Sequence, residues 1–202
     1  METSCYNLRA MERKNFPYTR IVVIGTTSSG KSTLAENLAK KLDLDFVELD
    51  ALYWQPNWTG TLDEEFAAKV ADATRGDRWV VAGNYSRTRP ITWPRAQLIL
   101  WLDYSFPVVF WRLVTRTVRR NLSGEVLWGT NTDRFWIHFK LWSDDSLVTW
   151  LFKTYWRRKR DIPQLFDLPE HQHLDLIQFK TPKETDRWFE QLPSNEKKET
   201  SA

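Results

Sequence analysis

Residues 21–34 read IVVIGTTSSGKSTL: a β-branched apolar run, then Gly25-Thr26-Thr27-Ser28-Ser29-Gly30-Lys31-Ser32, then the first turn of an amphipathic segment. A G-x-x-x-x-G-K-[ST] loop set between a strand and a helix is the pattern of a phosphate cradle. Glycine at 25 and 30 admits backbone conformations that a Cβ would resist, and leaves phosphate oxygens room beside the main chain. The amides from Thr26 to Thr33, with the N-terminus of the helix that follows, make a concave patch of partial positive charge. Lys31 adds a full charge able to reach β- and γ-phosphates, and the Ser32 hydroxyl suits Mg²⁺. The loop therefore predicts a nucleoside triphosphate ligand, ATP with Mg²⁺, held by residues 25–33.

On either side of this loop, apolar strands alternate with one-faced helices. Ile21–Ile24 reads as a buried strand, and Lys31–Leu42 as a helix with Leu34, Ala35, Leu38, Ala39 and Leu42 on one face. Asp45–Asp50 reads as a strand ending in a carboxylate, followed by an aromatic loop, LYWQPNW, and a helix around Leu62–Ala73. Arg78–Ala82 and Gln97–Leu102 are further strands, and Phe106–Arg120 is a helix with Pro107 in its first turn. Residues 121–142 carry no clear periodicity. Ser143-Asp-Asp-Ser146 reads as a cap for a helix to about Arg160, His173–Phe179 as a last strand, and Thr181–Leu192 as a closing helix begun by Thr-Pro. Such alternation implies an α/β parallel sheet covered on both faces, with ligands at the carboxyl ends of its strands. Those ends are Gly25–Ser32, Asp50, Gly83-Asn84-Tyr85 and Asp103.

The chain of 202 residues fits one domain over 20–193, with a flexible segment over 1–19, a lid or insert at about 121–160 and a disordered tail over 194–202. Hydrophobic residues make up 42% of it, enough for a real core, and the 12 Trp belong mainly in core and pocket walls. A net charge of +3 is too small to argue by itself for a nucleic-acid partner. The single cysteine, Cys5, excludes an internal disulfide and points to a reducing compartment. No signal-type apolar segment and no membrane span is visible, so the expected location is the cytoplasm. His138, His171 and His173 lack metal-ligand spacing.

Phosphoryl transfer needs a carboxylate near the acceptor proton, and Asp50 suits that position beside the aromatic wall of Tyr53, Trp54 and Trp58. A turn-capping role is the other reading of Asp50. Asn84, Tyr85 and Arg87, after the 78–82 strand, are acceptor-binding candidates. Asp103 follows the apolar run LILWL, as a Mg²⁺-organising carboxylate would; beside the wrong strand it would be structural. Arg112, Arg116, Arg119 and Arg120 share a broad helix face, with no acidic residue between Ser105 and Gly124. They read either as a clamp on transition-state charge, Arg116 and Arg120 foremost, or as a solvated basic face. Arg157-Arg158-Lys159-Arg160 reads as solvent-exposed, and Leu147–Trp156 as a buried helix or a partner interface.

Taken together, VVIGTTSSGKSTLAENLA, LDALYWQPNW, RWVVAGNYSRTRP and AQLILWLDYSFPVVFWRLVTRTVRR resemble small bacterial P-loop kinases of the adenylate-kinase-like group. More specifically, the chain is similar to proteins labelled DNA topology modulation proteins or putative adenylate kinases, and the resemblance extends over roughly residues 20–190. The resemblance implies a P-loop NTPase three-layer sandwich whose five-stranded parallel sheet has order 2-3-1-4-5, with a helical lid after the fourth strand. It places Asp50 toward the acceptor, and Arg116, Arg119 and Arg120 on the lid side. Two departures stand out: Ala82 occupies a strand end that is often acidic in such proteins, and Asn131-Thr132-Asp133-Arg134 lacks an expected arginine after the Asn. The expected activity is transfer of the ATP γ-phosphate to a small acceptor, a nucleotide or nucleoside among the candidates. The second reading is a nucleotide-gated regulator or DNA-associated ATPase, and the third a family member that binds ATP without turnover. The absence of N-K-x-D and D-x-x-G elements argues against a signalling GTPase.

Overall fold

The computed structural model describes residues 16–123, 126–127, 131–132 and 147–193. Strands are β1 (Arg20–Gly25), β2 (Asp45–Glu48), β3 (Trp54–Gln55), β4 (Thr59–Gly60), β5 (Trp79–Ala82), β6 (Leu98–Leu102), β7 (Val126–Leu127), β8 (Asn131–Thr132) and β9 (Asp175–Phe179). Helices are α1 (Lys31–Leu42), α2 (Leu49–Tyr53), α3 (Asp63–Ala73), α4 (Arg89–Thr92), α5 (Phe106–Ser123), α6 (Leu147–Phe166) and α7 (Pro182–Glu190). The main sheet runs β2-β5-β1-β6-β9 with every neighbouring pair parallel. Counting only these five strands in chain order gives 2-3-1-4-5; the remaining strands form two-residue ladders, β3 with β4 and β7 with β8.

The run IVVI is apolar throughout because β1 is central and covered on both faces. Ile21 and Val23 pack with Leu34 and Leu38 of α1, Val109 and Leu113 of α5 and Trp188 of α7. Val22 and Ile24 face the other way, with Phe66 and Val70 of α3, Trp93, and Ile162 and Phe166 of α6. Truncating a fully buried residue such as Leu38 or Phe66 therefore costs about 3 kcal/mol, transfer and cavity contributions together.

Helix α6 does not stay with one layer. Leu151 and Tyr155 belong to the α1/α5 layer, whereas Ile162 and Phe166 belong to the α3 layer. Its middle must therefore cross from one layer to the other, and hydrogen bonds from Tyr155 Oη to Tyr104 O and from Arg158 Nη1 to Gly25 O place that crossing at the carboxyl ends of the strands.

Three local expectations change. The strand over 45–50 stops at Glu48, and Asp50 lies in the first turn of α2. Residues 16–19, read with the polar N-terminus, join the core: Phe16 packs edge-on against Trp188, and Thr19 N donates to Gln97 Oε1. Of the segment read as a buried helix or a partner interface, residues 150–156 are only partly buried, since Trp150, Phe152 and Trp156 are exposed. The cap expected at 143–146, residues 124–125, 128–130 and 133–142 of the lid segment and the 194–202 tail lie outside the described residues. Where α7 begins, the Thr-Pro signal holds: Thr181 Oγ1 accepts from Glu184 N, with Pro182 in the first turn.

Candidate active site

The loop from Gly25 to Ser32 leaves β1 at the sheet's carboxyl edge. A Cβ on Gly25 would lie 2.8 Å from Leu102 O and 2.7 Å from Ser29 Oγ, so the loop can close against β6 only with glycine there. Gly30 takes the left-handed conformation, φ 96°, at the N-cap of α1 and offers no side-chain cap. The first amides of α1 are thus left to an anion rather than to the protein. Ser28, also left-handed at φ 59°, has a buried Oγ with no hydrogen-bond partner among the described residues. Lys31 turns back to donate to Thr26 O at 2.9 Å, so a backbone carbonyl of the loop receives its charge. Burial pulls the Lys31 pKa down to about 8; Asp50 and Glu48 oppose that shift, while Arg158 and Arg116 reinforce it. Thr26 and Ser29 are buried and Thr27 and Ser32 half-buried, while Thr33 is exposed.

Across the crevice, Asp50 Oδ1 accepts the Tyr85 hydroxyl at 2.6 Å. Burial, with the adjacent Asp50 charge, pushes the Tyr85 pKa far above its ordinary value, so Tyr85 stays a donor at every physiological pH. Glu48 pairs in register with Ala82, so a carboxylate on β2 stands beside the strand end that lacks one on β5. Asn84 Oδ1 accepts from Arg89 Nη2 at 3.1 Å, and the Arg89 guanidinium lies 5.3 Å from the centre of the Trp93 ring. Arg87, expected at the acceptor, is exposed and paired with Asp63 instead. The rings of Tyr53 and Trp54, expected to wall an acceptor pocket, pack on one another and on Phe66, Tyr85 and Trp58.

The arginines of α5 divide. Arg112 Nη1 donates to Ser29 O at 2.9 Å, fixing the far side of the loop. Arg116 lies close enough to lower the Lys31 pKa, and Arg120 is half-buried. Arg119 is exposed beside Trp111, Val118 and Leu122 in a groove of about 660 Å³ on the outer side of α5. The 157–160 run, expected in solvent, divides too. Arg157 and Arg160 are exposed, whereas Arg158 Nη1 reaches Gly25 O at 3.5 Å and feels Asp50 and Tyr85. Burial, with repulsion from Arg157 and Arg89, draws the Arg158 pKa down to about 10.

Asp103 is not free to organise a metal. Its carboxylate is 5% exposed and takes Lys180 at 2.7 Å, Lys159 at 3.3 Å and Gln178 Nε2 at 2.8 Å. A dication there would have to displace two ammonium groups, so the residue ties α6 and the end of β9 to the sheet. Among the described residues no cluster of three His, Cys, Asp or Glu could hold a metal, and no helix is long and apolar enough to cross a membrane. His171 and His173 hydrogen-bond to Leu165 O and Trp93 O in the packing of the α3 layer, and His138 lies outside the described residues.

Three groups were missed in the sequence: Glu48, Arg89 and Arg158. Arg158 had a signal. Buried Leu151, Tyr155, Ile162 and Phe166 mark one face of α6 at i, i+4, i+11 and i+15, and Arg158 at i+7 continues it. A charge within an apolar stripe is not a solvated charge.

No family model and no curated protein matches the chain. Among solved structures, a shikimate kinase from Bacteroides thetaiotaomicron superposes with a TM-score of 0.50 and 16% identity, over 85% of this chain and 94% of that one. A gluconokinase from Sinorhizobium meliloti 1021 and an unliganded sugar kinase from Janibacter sp. HTCC2649 each align at TM-score 0.48 and 17% identity. These two alignments cover 88% and 86% of this chain and 90% and 91% of theirs. The likeness to the shikimate kinase is one of fold.

Proposed function

We propose that the chain is an ATP-dependent small-molecule kinase of the adenylate-kinase-like kind. One observation carries the reading: Lys31, at the mouth of an uncapped helix N-terminus, lies within the fields of Asp50 and Glu48 on one side and Arg158 and Arg116 on the other. A binding module for phosphate needs the cations alone; a carboxylate hydrogen-bonded to a tyrosine beside them suits an acceptor hydroxyl.

The residues fit ATP. The α1 amides, the orphan Ser28 hydroxyl and Lys31 are donors suited to a polyphosphate, and Arg116 and Arg158 would balance charge spread over the transferring group. They also fit Mg²⁺, which keeps several waters and takes one or two carboxylates besides phosphate oxygens: Ser32 with Glu48 is such a set. The metal would neutralise phosphate charge. Asp103 drops out of that set. In transfer, the acceptor oxygen bonds to the γ-phosphorus as the bond to the bridging oxygen breaks, ADP leaves with the electron pair, and Asp50 takes the hydroxyl proton.

The finer likeness, to proteins labelled DNA topology modulation proteins, rests on the LD-A-x-x-W and GNY segments. Duplex binding loses support where Arg112 and Arg158 turn toward the loop, which leaves Arg119, Arg157 and Arg160 as exposed arginines of the two basic helices. Purified protein with γ-labelled ATP, Mg²⁺ and a panel of nucleosides, nucleotides and small alcohols tests the proposal. A labelled product that disappears in Asp50→Asn supports it; ATP binding without product from any acceptor overturns it.

A further inference from the structure

The outward side of α5 is apolar where a surface helix is ordinarily polar. Trp111, Val114, Val118 and Leu122 follow one another at i, i+3, i+7 and i+11, on the side opposite the buried Val109, Leu113 and Thr117. Trp111 is 68% and Leu122 81% exposed, so the stripe meets solvent rather than core. It lines the hollow of about 660 Å³ that also holds Arg119. Phe152 of α6 packs against Phe106 and Phe110, which brings the outward side of α6 beside the stripe. There Phe152 and Trp156 are exposed along one edge, next to exposed Lys153, Arg157 and Arg160 at i, i+4 and i+7. Trp150 adds a third exposed indole to the two helices.

Charge decides what this face fits. Helix α5 carries four arginines and no acidic residue, and α6 carries five cations with Asp161 alone, itself paired with Arg160. A second copy laid face to face would set Arg119 and the α6 cations against their equivalents, which disfavours a dimer here. An acidic helix lying along α5 would meet Arg119 but leave the α6 cations unmatched, because Arg112 is turned into the phosphate loop. A sheet of anionic headgroups meets both helices at once. Indoles suit the boundary between headgroups and acyl chains, Val118 and Leu122 the hydrocarbon beneath it, and arginines the phosphates around it.

We propose that the outward faces of α5 and α6 dock the protein on an anionic phospholipid surface, with acyl carbons in the hollow beside Trp111 and a headgroup phosphate at Arg119. This is peripheral attachment by side chains, and it depends on neither ATP binding nor phosphotransfer.

Flotation of the full-length protein tests it, using vesicles of phosphatidylcholine alone and vesicles with about 30% phosphatidylglycerol. The anionic vesicles should bind at least about tenfold more tightly, and the preference should fade as salt is raised. Trp111→Ser combined with Leu122→Ser should cut binding to anionic vesicles by at least about tenfold while the unfolding temperature holds, since both side chains are exposed. Arg119→Gln combined with Arg157→Gln is an independent pair, and should bring anionic binding toward the neutral level. Equal binding to both vesicles, binding to neither, or anionic binding that survives either pair overturns the proposal. So does a dimer in sedimentation velocity that Trp111→Ser dissolves, in protein that floats with no vesicle; that result gives the face to a second copy.

Discussion

The two walls of the crevice are built on opposite plans. The phosphate wall comes almost whole from one turn of chain, Gly25 to Ser32, held by β1 behind it and α1 ahead. The facing wall is assembled from Glu48 and Asp50, from Asn84, Tyr85 and Arg89, and from Arg158 on a helix more than a hundred residues beyond the loop. A local wall tolerates change elsewhere in the fold. An assembled wall depends on how three elements pack, so substitutions in it should act through one another.

The sharpest break in the comparison is Lys31→Ala. It removes the mobile charge of the local wall, and we expect roughly a hundredfold to thousandfold loss in kcat/KM, with ATP affinity by calorimetry falling in parallel. Asp50→Asn probes the other wall. It should lower kcat by about a hundredfold while leaving ATP affinity within about twofold, because the lost group handles the acceptor proton rather than phosphate. Equal losses in both parameters would show that the walls are not separable.

Asp103→Ala tests whether that carboxylate holds the assembled wall together. It frees Lys159 and Lys180, whose side chains are 34% and 58% exposed, and thermal or urea unfolding should show a loss of about 1 kcal/mol. Mg²⁺ dependence should keep its midpoint; a shift there would return Asp103 to the metal. Solution pH provides a weaker perturbation of the local wall. The free protein holds Lys31 near pKa 8, so nucleotide affinity should fall above pH 8 by up to about tenfold per unit, and binding at pH 8.5 should take up a proton. Calorimetry in two buffers of different ionisation heat reads that uptake. Folding stability moves the other way: between pH 8 and the ordinary lysine value of 10.5 the unfolded chain keeps a proton that the fold releases, so this residue's penalty shrinks as pH rises through that window. The smallest effect belongs to Arg119→Ala, which should leave kcat/KM within about twofold because its side chain lies on the outer face of α5.

The same contrast explains what could be read before the fold was known. The loop, the alternation of strands and helices and both covering layers follow from short-range signals (β-branched runs, helical periodicity, a motif within eight residues), whereas the strand order followed from the family likeness. Asp50 was displaced by a single turn, from strand end to α2, because Leu49 is drawn into the α3 layer and bends the chain early. Arg87 and Arg158 were misread for a common reason. Both belong to local sequences that describe charge accurately and direction not at all. Arg87 finds Asp63 across a surface, and Arg158 is carried over the strand ends because α6 changes layers. Asp103 misled differently, since an acid after an apolar strand looks the same whether a lysine or a cation meets it; the lysines come from residues 159 and 180.

Arg112 and Arg158 each hold a carbonyl of the loop, at Ser29 and Gly25. During synthesis the glycine-rich turn leaves the ribosome well before α6, and the second of its two braces is made only once Arg158, more than a hundred residues further on, has emerged. Nucleotide can therefore reward only a nascent chain that has passed α6, and a product truncated before it would retain every motif residue yet lack the architecture that lets the motif grip.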